Sequence, residues 1–225
     1  MADLRELSGS EYMREREALL SKAKKSVFEL ELRDWYWLRE EKELNDSYYG
    51  HLTSWKDVGV ESTRAHVVTF PINEYISYES DHYKKLQEIG EKIFFLDRNK
   101  FDRIMQPSGI EICDFLAVDG AVLLTRYLLD QKMMKSEIEG GCLIRDKGMV
   151  AKYAALKNSI LKASTPMDSF LGSAGLVKLQ VTRHSCPKCG NGDAYLLFYG
   201  IVVGDEPPLI IYRCTRCGAV AREWK

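Results

Sequence analysis

Cys186-Pro-Lys-Cys189-Gly and Cys214-Thr-Arg-Cys217-Gly stand near the end of the sequence, two thiol pairs of identical spacing, each followed by glycine. Two thiolates about one turn apart, twice over, supply the four soft ligands that tetrahedral Zn2+ takes. The glycines permit the tight backbone in which N–H groups turn toward sulfur. A redox Cys-x-x-Cys ordinarily occurs once, at a helix start after a strand, so the doubled pair reads as a metal site. The expected ligands are Cys186, Cys189, Cys214 and Cys217, holding one structural Zn2+. Cys113 and Cys142 stand alone in apolar segments and read as small buried hydrophobes.

Between the pairs, "AYLLFYGIVV" and "PLIIYR" read as strands, with Gly204-Asp205-Glu206-Pro207-Pro208 as their turn. Asp205 and Glu206 are adjacent like charges where a plain turn would favour Asn-Gly or Asp-Gly. Asp205 lies 16 positions after Cys189 and 9 before Cys214, so strand rise carries the turn on the order of 25 Å from the thiolates. The metal would close one end of a ribbon too small to fold unaided, and the carboxylates would be displayed at the other. A solubilising turn stiffened by Pro207-Pro208 is the plainer alternative. Arg213, Arg216 and Arg222, with Lys188 in the first thiol pair, are candidate contacts to phosphate or protein.

The elements that must position these groups form two blocks. Upstream, a helix is expected from about Ser10 to Lys25, then a strand in the alternating "SVFELEL". "ESTRAHVVTFP" reads as a strand, "NEYISYESDHYKKLQEIGEK" as a helix and "KIFFLD" as a buried strand. Asp119-Gly120 between β-rich runs signals a hairpin, and Gly140-Gly141 a turn or bulge. "GMVAKYAALKNSILKAS" closes the block as a helix, and the Pro, Gly and Ser of "TPMDSFLGSAG" read as a boundary. This order predicts an α/β domain over residues 1–170, a mixed sheet with packed helices. A linker over 171–182 and a small three-stranded β zinc ribbon over 183–225 follow. "DWYWLRE" gathers Trp35, Tyr36 and Trp37, read as core or interface packing or as a stacking platform for bases.

With 225 residues, 45% hydrophobic, 29% charged and a net charge of -1, the composition is that of a soluble globular protein with no global field to draw in nucleic acid. The start "MADLRELSGSEYMRERE" has no apolar signal core, and no stretch approaches the roughly 20 apolar residues of a membrane span. An intracellular protein, cytoplasmic or nuclear, is expected, with no membrane partner.

"SCPKCGNGDAYLL", "GDEPPLIIYRCTRCG" and Arg222 resemble the zinc ribbon of the transcript-cleavage factors, the S-II and archaeal transcription factor S family, in Cys-x2-Cys-x24-Cys-x2-Cys spacing and in the place of Asp-Glu-Pro. The resemblance implies RNA polymerase as partner and a catalytic role in trans for Asp205 and Glu206, which would share Mg2+ with the polymerase active site. Two departures stand out. Gly200, Ile201 and Val202 occupy the positions where that family carries Gln-Thr-Arg, and Ala221 the place of its aromatic, with Trp224 nearby. Upstream, "DVGVESTRAHVV", "IEICDFLAVDGAVLLTRYL" and "MVAKYAALKNSILKAS" resemble a phospholipase-D-like half-domain of the kind attached to transcription regulators. Active members of that superfamily use His-x-Lys-x4-Asp. Two residues after His51, His66, His82 and His184 stand Thr53, Val68, Lys84 and Cys186, and the one Lys is followed by Ile89 where Asp is required.

Two functions follow as expectations. One is a transcription elongation or transcript-cleavage-like factor with no free-standing enzymatic activity. The other is a non-catalytic regulator or polymerase inhibitor, whose ribbon contacts polymerase or nucleic acid and whose large domain binds a partner, a ligand or a second copy. A free-standing nuclease is disfavoured by the missing motif.

Overall fold

The computed structural model describes residues 3–32, 42–68, 74–111, 113–130, 135–173, 181–200, 208–217 and 219–224. The chain opens with β1 (Leu4–Ser8) and α1 (Gly9–Leu20), then alternates β2 (Ser26–Leu32), α2 (Lys42–Val58), β3 (Glu61–Val68), α3 (Glu74–Ile89) and β4 (Lys92–Asp97). Helix α4 (Arg98–Met105) leads into the meander β5 (Asp114–Val118), β6 (Ala121–Asp130) and β7 (Lys135–Ile144), and α5 (Lys147–Ala163), β8 (Thr165–Pro166) and α6 (Met167–Ser173) follow. These strands make one mixed sheet in the order β1-β7-β6-β5-β2-β3-β4-β8. Among the described residues only the β2–β3 and β3–β4 pairs are parallel, and each has the helical crossover a parallel pair requires.

Helices cover both faces. Val27, Leu116, Leu123 and Leu143 meet Tyr12 and Leu20 of α1, Leu52 and Trp55 of α2, Tyr83 and Leu86 of α3 and Met167 of α6. On the opposite face Phe28, Leu30, Ala65, Val67 and Phe115 meet Phe101 of α4 and Tyr153, Leu156 and Ile160 of α5. At about 25 cal/mol per Å2 of apolar surface, these two layers are the main favourable contribution to folding.

Asp119 takes the left-handed conformation (φ 51°) at the tip of the β5–β6 hairpin, and its carboxylate accepts N–H bonds from Lys24, Lys25 and Ser26 at 2.9, 3.0 and 3.0 Å. The hairpin turn thus anchors the start of β2 as well as reversing the chain.

Two local expectations change. Helix α1 stops at Leu20 rather than Lys25, and a strand precedes it: "LRELS" has helix-forming residues, but pairing with β7, from Leu4↔Ile144 to Ser8↔Gly140, overrides that propensity. Strand and helix meet without a loop, and the Glu11 carboxylate accepts from the Ser8 N–H (2.9 Å) and hydroxyl (2.7 Å) at the junction. The stretch 165–173, read from composition as a boundary, pairs with β4 and buries Met167, while Phe170 stacks on Phe95 at 4.4 Å. Of the turn or bulge read at Gly140 and Gly141, the bulge is what forms. Both glycines lie inside β7 beside it, where Arg126↔Gly140 is followed by Tyr127↔Ile138. The extra residue restores Ile138 to the face that Leu143 serves. Trp35, Tyr36 and Trp37 fall outside the described residues.

The last strands, β9 (Val181–Arg183), β10 (Asp193–Gly200), β11 (Leu209–Cys214) and β12 (Val220–Trp224), form a separate antiparallel sheet ordered β12-β11-β10-β9. The expected three-stranded ribbon is joined by the short β9. Among the described residues no helix is long and apolar enough to cross a membrane.

A Cβ on Gly141 would lie 2.0 Å from the Leu124 carbonyl oxygen and 2.7 Å from the Tyr12 ring. Gly141→Ala is therefore expected to destabilise by about 3 kcal/mol or more. Gly50→Ala in α2, where a Cβ meets nothing within 4 Å, should stabilise by about 0.5–1 kcal/mol through helix propensity. Urea-denaturation midpoints of the two variants check both signs.

Candidate functional site

Two antiparallel connections build the ribbon's cysteine cluster. Cys186 to Gly190 turn between β9 and β10, closed by Gly190 N–H to Cys186 O at 2.9 Å, and Cys214 N–H bonds Ala219 O at 2.9 Å between β11 and β12. The Ala194↔Cys214 pairing sets one turn beside the other. Asn191 locks them: its side-chain amide donates to Asp193 O (2.7 Å) and Thr215 Oγ1 (2.9 Å), while the Thr215 hydroxyl donates to Asp193 O (3.0 Å).

The four sulfurs of Cys186, Cys189, Cys214 and Cys217 lie within 4.8 Å of one another, with Cys186–Cys217 and Cys189–Cys214 both at 3.6 Å. Four sulfurs around Zn2+ at about 2.3 Å would stand about 3.8 Å apart, so the donor set fits that ion in kind and in spacing. The N–H groups of Cys217 and Arg216 both point at Cys214 Sγ at 3.4 Å, and the Cys217 N–H first, then that of Arg216, holds the Cys214 thiol down to about 6. Thiolate is the form that binds metal. His184 is not a fifth donor of this cluster: its ring stacks on Tyr212 at 3.9 Å, with Nδ1 3.5 Å from Glu223.

Of the basic residues singled out in the sequence, Lys188 and Arg216 are exposed on the two cysteine turns, at the metal end. Arg213 and Arg222 are half-buried on β11 and β12. The β10–β11 ladder runs from Ala194↔Cys214 to Gly200↔Leu209, about 20 Å of strand. Asp205 and Glu206, in the connection beyond it, lie outside the described residues. Cys113 and Cys142 pack beside the α4–α5 layer, half-buried, and burial pushes the Cys113 thiol up to about 12.

The large sheet holds a second polar cluster that sequence patterning missed. Alternation in "SVFELEL" ordinarily marks a strand with one solvated face. Helices cover both faces of β2, and Glu31 is 2% exposed. Opposite it in register, β3 supplies Arg64 beside Glu29 and His66 beside Glu31. Arg64 spends its guanidinium on three carboxylates: Nη2 to Glu29 (3.0 Å), Nη1 to Glu31 (2.6 Å) and Nε to Glu91 (3.2 Å). Its plane also lies over the Tyr48 ring, 4.8 Å from the centroid. Burial alone would favour a neutral guanidine, but Glu91, Glu29 and Glu31 outweigh it and hold the pKa well above its ordinary value. Glu91 is raised, burial outweighing Arg64. His66, fully buried, sits 3.2 Å from Glu31 and stacks on Phe95. Glu29, Glu31 and Arg64 stand on strands that are otherwise core, and Glu91 stands just before β4.

Removing one partner of a buried ion cluster strands the rest, at about 3–5 kcal/mol. Arg64→Met is expected to lose that much at pH 7. Without Arg64 the folded-state pKa values of the carboxylates rise above the unfolded ones, so the lost stability returns as pH falls. Denaturation midpoints of Arg64→Met relative to the native chain, at pH 7 and pH 5, should converge toward the lower pH.

A family described as a domain of unknown function (DUF6879) matches residues 14–172, and the zinc ribbon of transcription factor S-II (TFIIS) matches residues 184–222. Transcription factor S of Thermococcus celer is 44% identical over 50 residues, covering 22% of this chain and 46% of that protein. Transcription factor S of Sulfolobus acidocaldarius is 37% identical over 71 residues, 31% of this chain and 61% of that protein. The chain thus spans about half the length of the curated relatives it matches. Its neighbours among solved structures include NucT from Helicobacter pylori, at TM-score 0.46 and 14% identity over 74% of this chain and 99% of that one. The phospholipase D family member Nuc from Salmonella typhimurium follows at 0.44 and 11%, over 74% of this chain and 98% of that one. By the match over residues 14–172 the chain belongs to the DUF6879 family, with an S-II-type zinc ribbon downstream of that domain.

Proposed function

We propose that the chain is a transcription factor whose C-terminal ribbon engages a multisubunit RNA polymerase. In this reading a DUF6879 body extends to about residue 170, residues 171–182 link it to the ribbon, and the ribbon occupies 183–225. The observation that carries it is the four-sulfur cluster closing an antiparallel ribbon, in a segment alike to transcription factor S. Cys186, Cys189, Cys214 and Cys217 hold one structural Zn2+, which crosslinks the two turns and performs no chemistry on a substrate.

At the other end, Asp205 and Glu206 offer hard oxygen donors of the kind Mg2+ prefers, and the polymerase supplies the rest of a cleavage site. Lys188, Arg213, Arg216 and Arg222 are the contacts to polymerase or nucleic acid, with Lys188 and Arg216 free to meet a rim at the metal end. A cytoplasmic or nuclear location fits this role. Gly200, Ile201 and Val202 favour a second reading. They place no cation beside the acidic pair, and a phosphate transition state draws much of its stabilisation from such a charge. A tip without it suits a regulator that occupies the polymerase without cutting.

Two measurements test the proposal. Metal analysis should give about one zinc per chain, lost in Cys214→Ser, and chelation should abolish the ribbon's amide-exchange protection; an intact metal-free ribbon is the contrary result. RNA cleavage in backtracked elongation complexes of the cognate polymerase should fall about 100-fold or more in the Asp205→Ala, Glu206→Ala double variant. Altered pausing with no cleavage by either protein would select the regulator instead.

A further inference from the structure

The near-neutral total of -1 conceals a segregation of charge by face. Helices α1, α2, α3 and α6, on one side of the large sheet, carry eleven acidic and six basic residues. Helices α4 and α5, on the other, carry seven basic residues and one acid, Asp102. In α5, Lys147, Lys152, Lys157 and Lys162 recur every five residues, and no carboxylate stands anywhere in the helix. A solvated helix ordinarily offsets its lysines with acids three or four residues away. Lys147 opens α5 and Arg145 precedes its Asp146 N-cap, the end at which the helix dipole disfavours cations. Helix stability alone therefore does not call for this charge.

Most of these cations are also unspent. Arg98 pairs with Asp102 at 2.8 Å, and Lys157 lies over the Phe28 ring at 5.4 Å. Lys100, Arg103, Arg145, Lys147, Lys152 and Lys162 are exposed and make no ion pair among the described residues. Of the nearby acids, Asp97 and Asp146 cap helices, Glu61 holds Lys92, and exposed Glu111 stands near Tyr153. At 3.6 residues per turn, Tyr153, Leu156 and Ile160 face the sheet, and Lys147, Ala151, Ala154, Asn158 and Lys162 follow the outer side. That outer stripe runs about 22 Å, with lysines at its ends and short side chains between, and α4 packs alongside with Lys100 and Arg103.

What can meet this face follows from what it lacks. Phe101 and Tyr153, the aromatic residues of α4 and α5, are buried, and neither helix exposes a large hydrophobic side chain. A lipid surface would find nothing to take up, and unpaired bases no ring to stack on. An RNA duplex is recognised largely through its 2′-hydroxyls, for which the alanines offer no partner. A DNA duplex presents one negative charge per about 1.7 Å of axis and needs cations alone for sequence-independent contact.

We propose that the α4–α5 face of the large domain docks the phosphate backbone of double-stranded DNA, independently of sequence. Lys147, Lys152 and Lys162 of α5 and Arg103 of α4 are the main contacts, and the alanines between the lysines let the backbone come close. This inference is independent of the ribbon's role.

The test is fluorescence anisotropy of a labelled random-sequence DNA duplex titrated with the full zinc-loaded chain over a range of salt. Four phosphate contacts should give a slope of log affinity against log salt of about -3.6. The triple variant Lys147→Gln, Lys152→Gln, Lys162→Gln should weaken binding at least tenfold and bring the slope to about -1. Arginine at the same three positions should restore affinity, and Ala154→Glu alone should weaken it several-fold. No saturable duplex binding at low salt, or affinity unchanged in the glutamine variant, would overturn the assignment. So would tighter binding of single-stranded DNA, of an RNA duplex or of phosphatidylserine vesicles. Affinity lost in Lys188→Ala, Arg216→Ala but kept in the glutamine variant would place the contact on the ribbon and overturn it as well.

Discussion

Arg64 carries a full positive charge into the middle of the sheet, and three carboxylates converge on its guanidinium. Two come from the neighbouring strand β2 and one, Glu91, from the residue before β4. A one-residue slip of β2 against β3 would turn Glu29 and Glu31 to the opposite face and bring Phe28 and Leu30 beneath the guanidinium. The ion cluster therefore specifies register where hydrophobic packing alone is permissive, since both faces of β2 are buried and either set of side chains would find a core. From that register follow the β2–β5 pairing, the position of the hairpin and the support for α1.

The ribbon answers to a different constraint. Its described core is small, with Ala194, Ile210 and Ile211 buried beside Cys186 and Cys214. What aligns its strands is the meeting of two cysteine turns, tied by Asn191 and Thr215. The molecule thus uses long-range charge pairing in one sheet and short-range sulfur geometry in the other. Neither device depends on the other's residues.

That difference explains what could be read from the sequence. The cysteine cluster was legible because its spacing is local, two turns of four residues each. Strands β2, β3 and β4, the Asp119-Gly120 hairpin and α5 were legible from periodicity and turn chemistry. Strand β1 was not, because its residues favour helix and only the partner Leu143–Ile144 edge makes it a strand. The segment carrying Met167 and Phe170 was hidden by the proline, serines and glycines around it. The Arg64 cluster was invisible for a deeper reason: Glu29, Glu31, Arg64 and Glu91 come together only through register between strands far apart in sequence. Alternating charge in one strand reads as a wet face until the helix above it is known.

The loopless junction at Ser8 has a mechanical consequence. Strand β1 lies at the open edge of the sheet, and the helix that starts at Gly9 carries Tyr12 over Gly141 and Arg16 to Glu29. Edge strand and helix join without a loop, and Glu11 clasps Ser8 at the junction. A pull on residues 4–8 has no slack to take up, so it reaches Tyr12 and Arg16 within two turns of helix.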